Sequence, residues 1–195
     1  MTKDLIEVTD RDIHVVNILS VVLLVIIIGI TFKSVLLPIL LVVSIELAVL
    51  INMAIPFYTG TSIPFIASIV IGSIQLGTTV DYAILLTNRF KEDLHIQDNK
   101  YTAMERSISA CSKSIVTSGL TFFGSTFAVA LISDMDMIST LALMMGRGAL
   151  ISMLIILLLL PSLLLVFEGL IRKTTYKWPV KKNHKDIKIK TNQIV

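Results

Sequence analysis

The sequence predicts an all-α fold, a polytopic transmembrane helix bundle of about five spans. Two observations carry this. Of 195 residues, 54% are hydrophobic and only 16% charged, with a mean hydropathy of +0.85; a soluble domain is nearer a quarter charged. The apolar residues also fall in five long runs, each long enough to cross a hydrocarbon core of about 30 Å. Barrel strands would alternate apolar and polar positions, whereas stretches such as Leu150–Leu160 are apolar throughout. Five such helices could not all be buried in so short a soluble chain, since no polar surface would remain to cover them.

The first twelve residues are polar and mildly acidic, unlike the basic start of a signal peptide. The first span runs from about 14 to 32. After Lys33 and Ser34 the second covers 35–57, with Pro38 in its first turn, where a missing N–H costs little, and Glu46 near its middle. An uncharged turn from Tyr58 to Pro64 leads to the third span, 65–88. Residues 89–113 form a polar loop. The stripe of Ala103, Met104, Ile108 and Cys111 predicts a helix lying along the membrane surface there. The fourth span is 115–132, an acidic turn holds Asp134 and Asp136, and the fifth span is 137–167. That run is too long for one straight crossing, so a break is expected near Gly146-Arg147-Gly148. Residues 171–195 read as a lysine-rich tail, expected to be disordered.

Lysine and arginine give the orientation. With the N-terminus outside, Lys33, five basic residues in 89–113 and eight in the tail all lie inside, 14 of 17 in total. The N-terminus is therefore expected outside and the C-terminus in the cytoplasm of a cell (plasma) membrane. The tail orients the chain and can also touch anionic membrane lipids. The single cysteine, Cys111, excludes an internal disulfide. No metal-ligand spacing, nucleotide loop, nucleophile elbow or triad appears, so neither an enzyme, a cofactor, a metal site nor nucleic-acid binding is expected.

Three ionisable residues fall inside spans: Glu46, Asp81 and Arg147. Each costs about 2.5–3.5 kcal/mol at a span centre, so each should face the bundle and have a partner or a function. Ser73, Gly77 and Asp81 share one helical face, and the small residues would let a second helix approach closely. Gln75 lies on the same helix. Tyr82 follows Asp81 and could bond a carboxylate on a neighbouring helix. Asp81 reads equally as a proton-loading carboxylate or as a structural partner for Arg147 or a hydroxyl. The fourth span carries Ser114, Ser118, Thr121 and Ser125 on one face, with Thr117 beside it. Such hydroxyls either face Asp81 or bond their own helix. Glu46 has as candidate partners Arg147 or a helix missing from this chain, and Arg147, between two glycines, could equally snorkel to the interface.

The stretch Gly77-Thr-Thr-Val-Asp-Tyr through Arg89-Phe-Lys-Glu92 resembles the Gly-x-x-x-Asp-Tyr…Arg-Phe-[Arg/Lys]-Glu signature of the MMPL branch of the resistance–nodulation–division (RND) exporters. Asp10-Arg-Asp12, Phe32-Lys-Ser34 with Pro38, Lys113, Gly148 and Leu160-Pro-Ser162 are similar in order. The resemblance implies the last five spans of a twelve-span exporter built of two repeats. Residues 1–13 would then end a porter domain missing from this chain. It implies proton-driven export of lipids or other hydrophobic molecules, with Asp81 as proton carrier, Tyr82 as cross-repeat partner and Ser118 beside them. Thr117, Thr121, Gln75, Glu46 and Arg147 would be supporting residues. It further implies a second chain, or a missing N-terminal portion, carrying the other repeat. SecD/SecF-like accessories of protein export share the RND membrane fold and a related Asp motif; Tyr82 argues against that reading. A non-transporting membrane remnant is the third reading.

Overall fold

The computed structural model describes residues 2–60, 65–97, 99–175 and 178. Six helices form among them: α1 (Thr2–Phe32), α2 (Leu36–Thr59), α3 (Phe65–Ile96), α4 (Lys100–Ile132), α5 (Asp136–Val166) and the short α6 (Glu168–Thr174). The first five contain stretches long and apolar enough to cross a membrane, which agrees with the sequence reading. Chain direction alternates, so one end of the bundle gathers Lys33, the 97–99 turn and α6. The other gathers Gly60 and the Asp134–Asp136 turn. These are called the basic end and the acidic-turn end.

Burial explains the packing order. α5 lies at the centre, in contact with α2, α3, α4 and α6, whereas α1 touches only α2 and α3 among the described residues. On α2 the buried Leu37, Leu41 and Ile45 recur every four residues, and on α5 Ile156, Leu160 and Leu164 do the same. This is the spacing of one helical stripe. They meet Leu86 and Phe90 of α3 and Ile115 of α4 in one core nearer the basic end. Outward-facing Ile18, Ile30, Leu50, Leu131 and Leu158 are more than half exposed. In hydrocarbon that is an appropriate surface, because backbone polar groups are satisfied within each helix.

Three expectations are corrected. Residues 89–113 are not a surface-lying segment. α3 continues to Ile96 and α4 starts at Lys100, so the two run on as a helical hairpin. The stripe of Ala103, Met104 and Cys111 is buried against protein rather than lipid. Asp93, wholly buried, ties this hairpin together. Its carboxylate accepts from Ser107 Oγ at 2.8 Å and lies 3.3 Å from Arg89 Nε and 3.5 Å from Arg106 Nε. Asp93→Asn removes the charge that two guanidiniums share and should cost about 2 kcal/mol, read as an earlier loss of helicity in denaturing micelles.

α5 is unbroken through Gly146-Arg147-Gly148; those glycines serve close packing instead, as described below. Finally, the chain after α5 is not disordered from its start. α6 buries Ile171, Thr175 Oγ1 donates to Ser34 Oγ at 2.8 Å, and Trp178 is buried beside Phe90, ring centroids 6.5 Å apart. Residues 179–195 lie outside the described residues. Trp178→Ala empties this seat and should destabilise the chain by about 3 kcal/mol, measurable in the same unfolding assay.

Candidate functional site

Among the described residues, Asp81 does not pack against another helix. Ser73, Gly77, Asp81 and Leu85 form an exposed stripe along α3. A β-carbon built at Gly77 would meet nothing within 4 Å. The small-residue face predicted to receive a helix is therefore open. Beside it runs the hydroxyl face of α4, and the two walls enclose an open groove of about 710 Å³. α3 contributes Thr78, Asp81, Tyr82 and Leu85. Ser114, Thr117, Ser118, Thr121 and Ser125 line the α4 side, with Ile115 and Phe122. Eight of those eleven side chains carry a hydroxyl or a carboxyl, so hydrocarbon is a poor cover for this face.

The hydroxyls divide into two kinds. Thr117, Thr121 and Ser125 donate to the carbonyls of Lys113, Thr117 and Thr121, at 2.8, 2.7 and 2.9 Å. Thr78 likewise donates to Ile74 O at 3.0 Å. Their protons are taken by their own helices, and only lone pairs face the groove. Ser114 and Ser118 make no hydrogen bond among the described residues, and neither do the Asp81 carboxylate and the Tyr82 hydroxyl. The groove thus holds four free polar groups on a wall otherwise of acceptors. A charged carboxylate there needs donors from water or from a partner.

Two predicted supporting residues belong to a different site. Arg147 meets neither Asp81 nor Glu46 but Asn52 of α2. Its Nε donates to Asn52 Oδ1 at 3.0 Å and its Nη2 to the Asn52 backbone carbonyl at 3.2 Å. That carbonyl is available because its helical donor would be residue 56, and Pro56 has no N–H. Gln75 lies on the buried face of α3, away from the groove. Its Nε2 donates to Gly148 O at 3.3 Å and Ser152 Oγ at 3.0 Å, and its Oε1 accepts from Asn52 Nδ2 at 2.9 Å. Asn52 Nδ2 also donates to Met144 O at 3.1 Å. Each amide has its donors committed, so the polarity of the network is fixed and Asn52 Oδ1 is turned to Arg147. Gly148 makes room for it, since a β-carbon there would lie 2.6 Å from both Asn52 Nδ2 and Gln75 Oε1. At Gly146 the same atom would lie 2.5 Å from Thr126 Oγ1, where α4 crosses. Glu46 is half-buried on another face of α2, with Oε1 lacking any hydrogen bond. Asn52 and Ser152 were absent from the sequence reading, although Asn52 four residues before a proline is a legible sign of a carbonyl in need of a donor.

The sequence profile of the MMPL family matches residues 1–186. The chain belongs to the MMPL family. It is 26% identical over 172 residues to the membrane protein ActII-3 of Streptomyces coelicolor, covering 86% of this chain and 23% of that protein. To YdgH, a membrane protein of Bacillus subtilis, it is 29% identical over 181 residues, covering 87% of this chain and 20% of the relative. The chain thus spans about a fifth of the length of these MMPL relatives. No solved structure matches it significantly.

Proposed function

We propose that this chain is membrane machinery of a proton-motive-force-driven MMPL/RND-type exporter in the plasma membrane, with Asp81 and Tyr82 as half of its proton relay. Its cargo is of the hydrophobic, lipid-like class, and its N-terminal end is extracytoplasmic. The observation that carries this reading is the open α3–α4 groove. An aspartate, a tyrosine and two serines with no partner share a face that lipid would cover badly. A second helical repeat, from another chain or from sequence outside this one, covers it in the working assembly. The one-fifth coverage of the relatives is in keeping with such a missing portion.

In that assembly Asp81 takes a proton when the groove is open to one side and gives it up when open to the other. Ser118 supplies a hydrogen bond to the ionised form, and Tyr82 bonds across to the carboxylate of the other repeat. The test is proton flux with the complete assembly in vesicles carrying a pH-sensitive dye. Asp81→Asn should abolish flux and export together. Undiminished export in the variant overturns the relay.

A further inference from the structure

Arg147 remains without a counter-ion. Among the described residues it makes no salt bridge, and its only partners are the two oxygens of Asn52. Those bonds use one edge of the guanidinium, Nε with Nη2. The end-on edge, formed by both Nη nitrogens, keeps its donors. An arginine edge of that shape matches a carboxylate or phosphate bidentately.

Its setting specifies the rest of the ligand. Arg147 is half-buried, and Leu143 and Leu154, one and two turns away on the same face of α5, are 46% and 52% exposed. Ile51 of α2, beside Asn52 in the chain, is 41% exposed. The cation therefore lies within an outward apolar surface, not in the bundle interior. Depth fits as well. α5 has 31 residues, about 46 Å of helix against a hydrocarbon core of about 30 Å. Centred, it places the Arg147 backbone roughly 9 Å inside the hydrocarbon boundary near the acidic-turn end, most of which an extended arginine spans. The guanidinium is also preset, because the Gln75–Asn52 amides and the carbonyl freed by Pro56 fix one edge and leave the other to a ligand.

The geometry points to a binding site for the oxyanion head group of an amphiphile, a lipid phosphate or a fatty-acid carboxylate, on Arg147, with its chain along Leu143 and Leu154. This site is separate from the Asp81 groove and does not depend on the relay.

The full chain in neutral detergent is titrated with phosphatidylglycerol, with oleate and with inorganic phosphate, and bound lipid is counted by native mass spectrometry. Both amphiphiles should bind the wild type. Arg147→Gln, which keeps an amide beside Asn52 but loses charge and fork, should weaken both about tenfold or more. Arg147→Lys, a point charge without the fork, should fall between. Arg172→Gln, a single charge of the basic tail, should lower lipid binding by less than about twofold. Inorganic phosphate at equal concentration should not displace the lipid; full displacement would overturn the amphiphile assignment in favour of a free anion. Wild-type affinity in Arg147→Gln, or an equal loss in Arg172→Gln, overturns the site. If Arg147→Gln fails to fold, phenylglyoxal labelling of the wild type decides. Phosphatidylglycerol should protect Arg147 and leave Arg172 reactive, and unprotected Arg147 refutes the proposal.

Discussion

Gly148→Val is expected to be the most damaging single substitution in the bundle. Its β-carbon alone would sit 2.6 Å from Asn52 Nδ2 and from Gln75 Oε1. Those atoms end flexible side chains, but neither can swing away freely. Asn52 is held by Met144 O and Arg147, Gln75 by Gly148 O and Ser152. Valine therefore either separates α5 from α2 and α3 or breaks a buried network. Overpacking costs about 1–3 kcal/mol, and each stranded buried polar group about 1–3 more. A loss of about 4 kcal/mol is expected, enough to leave the chain largely unfolded in mild denaturing micelles. Gly77→Ala is the contrast. With nothing within 4 Å of its β-carbon, it should change this chain's stability by less than about 0.5 kcal/mol.

Asp81→Asn should divide function from stability completely. The carboxylate has no hydrogen bond or ion pair among the described residues, so the isolated chain loses no contact and should unfold within about 0.5 kcal/mol of wild type. Asparagine cannot carry a proton between two sides of a membrane. On the proposed relay, export by the assembly should therefore fall to background at every pH. Asp81→Glu keeps the titrating group and should retain partial export. Helicity under denaturant and vesicle export, measured on the same preparations, check both halves. A large loss of stability in the isolated chain would mean that Asp81 has a structural partner within it.

How much of this was legible beforehand follows from what each signal measures. Hydropathy reports lipid exposure, so the five spans were readable. It is silent where helices outgrow the membrane, and α3 and α4 run on into a polar hairpin. There the stripe of Ala103, Met104 and Cys111 looked like a membrane-facing surface because periodicity gives a face and not its neighbour. The glycines around Arg147 suggested a loose backbone. They are close-approach points, a distinction that depends on which side chains arrive from α2, α3 and α4. For the hydroxyl face of α4 both predicted behaviours occur: Thr117, Thr121 and Ser125 bond their own helix, while Ser114 and Ser118 remain free. Sequence could not sort them, because rotamers and not spacing decide it. Spacing placed Ser73, Gly77 and Asp81 on one face correctly. Among the described residues, no helix stands opposite that face.

The Thr175–Ser34 bond joins residues 141 positions apart, and the seat of Trp178 beside Phe90 joins residues 88 apart. During synthesis, the α1–α2 junction emerges long before its last neighbour exists. Ser34 and Phe90 must wait, inserted but unsealed, until the ribosome has delivered the segment beyond α5. Completion of the fold at the basic end is thus timed by synthesis of the segment beyond α5. Truncation after α5 would keep these five long helices, yet leave their basic end open to quality-control proteases.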